Sequence, residues 1–303
     1  MFFDSTFLAK LERLHLLSRR AFAGQSRAER RSHKLGSSLE FADYRNYTAG
    51  DDLRSVDWNI YGRSDKLFLK LFEEEEDLHV YLLVDTSASM RWTATDGRTD
   101  TPLRVSKLDL ARQIAGALAY IGLANLDRVN VHYFSENLGG DLGLGRGKSH
   151  FHKALRFLDR LPTDASETNL ARSLRAFGQQ TKRRGLALIL SDFFDPSGYE
   201  EALSYLLYQR FEIQLVHLLD PAELNPRLRG DLRLTDTETG QVYEVTANEG
   251  LLRAYEREVN RFLTGLETFC RQRQIGYRRA TTDVGFEDWM LRTLRSGGGG
   301  LVA

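Results

Sequence analysis

The chain has little of what would place it in an oxidising compartment or in a membrane. Cys270 is the single cysteine in 303 residues, so an intrachain disulfide is impossible and a reducing compartment is favoured. No apolar run approaches the roughly 20 residues that span a bilayer. Charged residues at Asp4 and Lys10 interrupt any signal-peptide core near the N-terminus. These absences predict a cytoplasmic protein without a membrane span.

The chain also lacks an excess of charge of either sign. Lys plus Arg and Asp plus Glu both number 42, so no net field attracts the whole molecule to nucleic acid. Hydrophobic residues make up 42% and charged residues 28%, which is the composition of a folded globular protein. We therefore expect no nucleic-acid partner, and the length suits one large domain with a smaller one.

Strand-like and helix-like segments alternate from residue 79 onward. A continuous apolar run at 80–84 is typical of a strand that is covered on both faces. Such alternation predicts an α/β fold, a doubly wound and mostly parallel sheet with helices. Further strands are predicted at 129–134, 186–190, 213–219 and 275–280, and helices at 108–123, 151–161, 170–177, 199–208, 249–274 and 286–294.

The rest of the predicted organisation surrounds this main domain, which we place at residues 79–295. Residues 1–78 combine an amphipathic helix with strand-like runs, so they predict a small N-terminal subdomain. Residues about 230–247 hold two strand-like runs around a turn. They are typical of an inserted β-hairpin, which could pair with strands of the N-terminal region. The glycine-rich residues 296–303 predict a flexible tail.

Polar side chains follow the predicted strands at three places. The run Asp85-Thr86-Ser87-Ala88-Ser89 follows the first buried strand, Thr168 precedes a helix, and Asp192 follows another strand. The carboxyl ends of parallel strands gather at one edge of a sheet, so these side chains are expected to converge. Hydroxyl and carboxylate oxygens suit a hard cation. We predict a site for Mg²⁺ or another divalent cation, formed by Asp85, Ser87, Ser89, Thr168 and Asp192.

This set of residues resembles the metal-ion-dependent adhesion site of von Willebrand factor A-type domains. The resemblance implies a Rossmann-like fold in which Ser87, Ser89 and Thr168 bind the metal directly, whereas Asp85 and Asp192 act mainly through water. In that family a partner protein supplies an acidic side chain to the open coordination position. Many such domains have glycine before the threonine and after the final aspartate, where this chain has Glu167 and Phe193.

A second resemblance lies upstream, in four closely spaced motifs. They are Gly36-Ser37-Ser38-Leu39-Glu40-Phe41, Tyr44-Arg45-Asn46-Tyr47, Gly50-Asp51-Asp52-Leu53-Arg54 and Val56-Asp57-Trp58. Together they resemble the signature of the family known as domain of unknown function 58. Members often accompany MoxR-type AAA+ ATPases, so the resemblance implies such an ATPase as a partner, with other von Willebrand factor A-domain proteins as further candidates. The charged residues of these motifs are expected to form a salt-bridge network anchored by Tyr47 and Trp58.

Two function hypotheses remain open at this point. The first is a non-enzymatic protein-interaction module, an adaptor or co-chaperone-like partner of an AAA+ ATPase. The second is a Mg²⁺-dependent phosphohydrolase that uses the same cluster, although Ser87 stands where haloacid-dehalogenase-type phosphatases need a second aspartate. The sequence also holds no lysine that is clearly placed for phosphate.

Overall fold

A computed structural model describes residues 3, 6–12, 35–73, 78–94, 104–163, 168–226 and 228–295, with side chains left aside at 35–42, 71–73 and 295. The chain forms two compact units. The smaller unit lies within residues 22–77, and the larger unit contains residues 78–295 together with the helical residues 6–12, called α1. The remainder of the predicted N-terminal helix and the glycine-rich tail at 296–303 lie outside the described residues.

The smaller unit is built on one pair of antiparallel strands. Strand β1 (Leu35–Asn46) pairs with β2 (Phe68–Glu73), and a 3₁₀ turn (Leu53–Ser55) and helix α2 (Trp58–Ser64) lie between them in sequence. Asp57 holds this connection in place. One of its carboxylate oxygens accepts from the first amides of α2, and the other accepts from Tyr44 Oη at 3.0 Å and Lys70 Nζ at 3.1 Å.

The expected salt-bridge network of the smaller unit is therefore present only in part. Arg45 pairs with Asp51 at 2.8 Å, which holds the pKa of that aspartate down to about 2. The prediction that Trp58 anchors the network is wrong, because the indole is 58% exposed and its ring contact is an edge-on one with Tyr61. Asp57 takes that role instead, because its four hydrogen bonds join α2 to both strands.

The larger unit contains a six-stranded, mostly parallel sheet. The strand order is β10-β7-β6-β3-β4-β5, and only the β4–β5 pairing within this sheet is antiparallel. Strands β8 and β9 pair with each other as a separate antiparallel hairpin, not with the N-terminal strands as we expected. The bounds are β3 (His79–Asp85), β4 (Arg128–Phe134), β5 (Leu138–Asp141), β6 (Leu186–Ser191), β7 (Glu212–Leu219), β8 (Gly230–Thr235), β9 (Val242–Ala247) and β10 (Gly276–Thr281).

Helices cover the sheet and alternate with its strands along the chain. They are α3 (Ala88–Arg91), α4 (Lys107–Ala124), α5 (Lys148–Asp159), α6 (Leu170–Gln180), α7 (Glu200–Tyr208), α8 (Pro221–Leu224), α9 (Glu249–Gln272) and α10 (Phe286–Arg295). Successive side chains of a strand point to opposite faces. Tyr81 and Leu83 of β3 lie in one core cluster with residues of α6, α7 and α9, while Leu82 is buried on the other face, along which α4 runs.

The strand order brings the carboxyl ends of β3 and β6 next to each other. The chain leaves β3 for β4 on one side and returns to β6 on the other side. Such a change of direction is where open α/β sheets place their ligands. Since β3 ends at Asp85 and β6 ends at Ser191, the polar residues predicted to converge follow these two neighbouring strands.

Candidate metal centre

Asp85 is fully buried at the end of β3, and both of its carboxylate oxygens are engaged. Oδ1 accepts from the backbone amide of Ser87 at 2.9 Å, and Oδ2 accepts from Ser191 Oγ at 2.6 Å. The amide and the hydroxyl of Thr86 both donate to the carbonyl of Phe134, at 2.8 and 3.1 Å, which ties the turn to β4. The turn after β3 is therefore held rigidly by the protein itself.

The two serine hydroxyls of this turn lie side by side. Ser87 Oγ and Ser89 Oγ are 3.0 Å apart. Two neighbouring oxygens of an octahedral Mg²⁺ shell, each 2.0–2.1 Å from the ion, are separated by about 2.9 Å. The spacing of the serine hydroxyls thus fits two adjacent positions of such a shell. Ser87 is buried, whereas Ser89 is partly exposed, so the pair opens toward solvent on one side.

Asp192 lies just beyond β6 and is paired with a buried lysine. Lys107 Nζ donates to Asp192 Oδ2 at 2.8 Å and also to Glu223 Oε1, and the lysine side chain is 0% exposed. The other carboxylate oxygen of Asp192 accepts from the Phe194 amide at 3.2 Å. Lys107 belongs to the first turn of α4 and Glu223 to α8, so two helices meet behind the aspartate.

Thr168 lies just before α6. Asn169 caps the start of this helix, because its side chain accepts a hydrogen bond from the Arg172 amide at 2.8 Å. The threonine hydroxyl donates to Glu238 Oε1 at 3.1 Å, and the Ser89 side chain is close enough to favour the charged form of the same carboxylate. Glu238 belongs to the turn of the β8–β9 hairpin. Its carboxylate therefore lies between the threonine and the serine loop.

The carboxylates of Asp85, Asp192 and Glu238 carry negative charge that the protein balances only in part. Burial, together with the negative charge of Asp192, raises the pKa of Asp85 to about 7. Burial also raises the pKa of Glu238, whereas the hydrogen bond from Thr168 and the nearby Ser89 side chain favour its charged form. Lys107 supplies positive charge to Asp192. A divalent cation among these oxygens would offset the remaining charge, so the residues fit a hard cation.

The donors are mostly hydroxyl oxygens, not a carboxylate cage. Within the described ranges, no group of three or more His, Cys, Asp or Glu side chains is arranged to hold a metal. An ion at this site would thus take oxygens from Ser87, Ser89 and Thr168 and keep several waters, which is how Mg²⁺ commonly binds.

The buried Asp85 makes a pH dependence of stability testable. Between its ordinary pKa of 3.8 and its folded value of about 7, the folded protein keeps a proton that the unfolded chain releases. The free energy of unfolding therefore falls as pH rises through this window, by on the order of 1–4 kcal/mol. We expect Asp85→Asn to flatten this fall in urea titrations at pH 5 and pH 8 with chelator present. The exposed Asp283→Asn is the control, and a slope unchanged by Asp85→Asn would contradict the assignment.

Phe193 stands where many von Willebrand factor A-type domains have glycine, and its backbone has the conformation that glycine favours. Its φ is 56°, in the left-handed region, and its side chain is buried in the core. A left-handed conformation costs a non-glycine residue about 1–2 kcal/mol. Burial of the phenylalanine ring, packed edge-on to His217 at 5.6 Å, offsets that cost.

Substitutions at Phe193 should separate these two contributions. Phe193→Ala loses the buried ring, at about 3–5 kcal/mol, and retains the unfavourable backbone. Phe193→Gly loses the ring but relieves the backbone, so we expect it to be more stable than the alanine variant by about 1 kcal/mol. At Phe177, within helix α6, the same pair should show the opposite order. Urea unfolding measures both pairs, and the same order at both positions would contradict the backbone argument.

Of the predicted residues, Ser87 contacts both Asp85 and Ser89, and Asp192 follows the serine that donates to Asp85. Thr168 is connected to them through Glu238. Sequence reasoning missed Lys107, Glu223 and the role of Glu238. One signal could have indicated Glu238: its hairpin follows β7, whose carboxyl end lies at the same sheet edge.

The fold and the site together define an α/β protein with a hydroxyl- and carboxylate-lined centre at the carboxyl edge of its sheet. The chain belongs to the family described as protein of unknown function DUF58, whose model matches residues 43–262. Uncharacterized protein Rv1480 of Mycobacterium tuberculosis is 26% identical over 250 residues, which is 82% of this chain and 76% of that protein. Uncharacterized protein MAV169 of Mycobacterium avium is 34% identical over 83 residues, 27% of this chain and 48% of that protein.

Two solved structures bear a weak likeness to the chain. An aerotolerance-related membrane protein from Bacteroides fragilis is 14% identical, with a TM-score of 0.44 over 74% of this chain and 98% of that one. The conserved hypothetical protein BatB from Bacteroides thetaiotaomicron is 13% identical, with a TM-score of 0.41 over 73% and 100%. Among the described residues of the present chain, no helix is both long enough and apolar enough to cross a membrane.

Proposed function

We propose that this chain is a non-enzymatic, metal-dependent protein-interaction module with a von Willebrand factor A-like main domain. In this proposal, Ser87, Ser89 and Thr168 bind a divalent cation, Mg²⁺ in the first place, and Asp85 and Asp192 support it through water. The observation that carries the proposal is the pair of serine hydroxyls 3.0 Å apart beside buried carboxylates. When bound, the cation supplies a positive centre that attracts an acidic side chain of a partner.

Some residues of the site hold the loop in its conformation, and others are accessible to a partner protein. Asp85 fixes the Ser87 amide and the Ser191 hydroxyl, so the loop keeps its shape. Ser89 and Thr168 are partly exposed, so a side chain from another protein can reach them. This combination of a fixed base and an accessible rim suits the binding of a partner.

No specific observation favours the phosphohydrolase alternative. Lys107 lies beside the site, but it is fully buried and donates to Asp192 and Glu223. Its ammonium group therefore has no free face for a phosphate. Ser87 stands at the position where the second aspartate of such phosphatases is required.

The partner in this proposal is a MoxR-type AAA+ ATPase, with this chain as its adaptor or co-chaperone. Its support is the resemblance of the upstream motifs, which belong to the smaller unit. We propose a cytoplasmic location as well, since the single cysteine suits a reducing compartment.

A binding experiment with purified components tests the function. The MoxR-type ATPase of the same organism would be passed over immobilised wild-type protein and over Thr168→Ala, at constant Mg²⁺ so that nucleotide binding by the ATPase is unaffected. We expect the variant to lose at least about tenfold in affinity, the scale on which removal of a metal-site partner acts. Equal binding by both proteins would disconnect this partner from the metal site, and no binding by the wild type would remove the partner.

A further inference from the structure

The β8–β9 hairpin ends in a turn whose backbone is fixed by its own side chains. Asp236 Oδ1 accepts from the amides of Glu238 at 2.8 Å and Thr239 at 3.0 Å. The Gly240 amide donates to the Asp236 carbonyl at 3.0 Å, and the φ of this glycine is +70°, which suits a residue without Cβ. The turn therefore presents Glu238 from a defined position.

The Glu238 side chain leaves the hairpin and enters the candidate metal centre. Most hairpin residues are exposed, including the neighbouring Thr239 and Gly240, but Glu238 is partly buried. Its carboxylate accepts from Thr168 at 3.1 Å and is close enough to Ser89 for that side chain to favour its charged form. Thr168 and Ser89 are two of the three hydroxyl residues that the proposed function assigns to direct metal binding.

The charge of this carboxylate is not matched by a neighbouring base. Among the residues that the structure describes, no Lys, Arg or His forms an ion pair with Glu238, and Asp192 is close enough to repel it. A carboxylate held by hydroxyls, partly removed from water and set beside a second carboxylate favours a cation in its vicinity. A surface glutamate on a hairpin turn would gain more from solvent than from this position.

We propose that Glu238 is a ligand of the metal centre supplied by the chain itself, so that the hairpin fills the position an acidic partner residue takes and must withdraw before that partner binds. The inference rests on the proposed function, because it needs a cation at this site. The Glu238 carboxylate, tethered to the site, has an effective concentration of roughly millimolar, with which a partner's acidic side chain must compete. An untethered acidic side chain is therefore at a disadvantage until the hairpin moves.

Metal binding by three proteins tests this inference. Mn²⁺, which can replace Mg²⁺ at oxygen sites, would be titrated into wild type, Glu238→Gln and Glu244→Gln, followed by calorimetry and by the relaxation of water protons. Glu244 is an exposed residue of β9, so its variant makes the same charge change on the same hairpin. We expect Glu238→Gln to bind Mn²⁺ at least about tenfold more weakly. Bound Mn²⁺ should also relax water more strongly in that variant, since water takes the vacated position. Glu244→Gln should match wild type.

Hydrogen–deuterium exchange gives a second readout that does not depend on affinity. Mg²⁺ should slow amide exchange across residues 230–247 in wild type and in Glu244→Gln, but not in Glu238→Gln. If wild type binds metal, and Glu238→Gln binds it equally well with equal protection of the hairpin, the inference is overturned while the metal site stands. If wild type binds no metal at all, the proposed function fails and the inference fails with it.

Discussion

Addition of Mg²⁺ to the metal-free protein is expected to raise its melting temperature, and the double variant Ser87→Ala/Ser89→Ala is expected to lose this rise. A ligand that binds only the folded state at 100 times its dissociation constant stabilises by about 2.7 kcal/mol. For a unit of this size, that corresponds to about 5–10 °C. The serine pair is the right target because its hydroxyls lie 3.0 Å apart, the spacing of two adjacent ligands in a Mg²⁺ shell.

The matched control for this experiment is Ser197→Ala. Ser197 lies in the loop that follows β6, is exposed, and donates to Asp195, outside the candidate centre. Its variant should keep the full Mg²⁺-dependent rise. A rise of equal size in the double-serine variant would place the bound ion elsewhere in the protein. Absence of any rise in wild type would remove the metal site.

Replacement of the buried Lys107 is expected to have the largest effect on stability. The lysine donates to Asp192 and Glu223 with no exposure to solvent. Lys107→Met keeps much of its bulk but leaves two carboxylates without their cation, and breaking one side of a buried ion pair costs about 3–5 kcal/mol. Urea unfolding at pH 8 should show this loss, while the exposed Lys182→Met should lie within about 0.5 kcal/mol of wild type.

The reason for the loss is open to a direct check with a second substitution. If the cost arises from unpaired carboxylates, Lys107→Met/Glu223→Gln should recover part of the stability, since one of the two charges is gone. Lowering the pH should also reduce the loss, because burial raises the pKa of Glu223 and eases its neutralisation. A double variant that is less stable than Lys107→Met would show that packing, not charge, explains the effect.

The sequence predicted the sheet well because its strands are short apolar runs that need no partner to be recognised. The runs at 80–84 and 186–190 became β3 and β6, buried on both faces. Strand β5 was missed because it reads Leu-Gly-Gly-Asp. Its first glycine packs against a ring of the neighbouring strand β4, since a Cβ on Gly139 would lie 2.0 Å from the Tyr133 side chain. Glycine in a strand carries no local signal of that kind.

The predicted metal residues were recognisable because each follows or precedes a regular element at a fixed spacing. The side-chain contacts of the site could not be recognised in the same way. Thr168 and Glu238 are 70 residues apart in sequence, and Lys107 lies 85 residues from Asp192 and 116 from Glu223. A lysine is almost never fully buried unless it is paired, so its sequence position suggests a surface. A glutamate in a hairpin turn is likewise expected to be exposed to solvent, because charged side chains are rarely buried.

The hydrogen bond between Ser191 and Asp85, at 2.6 Å, joins the ends of two neighbouring strands through protein atoms alone. The turn after β3 is closed in the same way by Thr86 and Phe134. Binding of a cation to a site that is already formed in this way is not coupled to folding, unlike metal binding by a small zinc domain. The cation can be exchanged while the domain stays folded, so occupancy of the centre would follow the free concentration of the ion and could change within the lifetime of a single molecule.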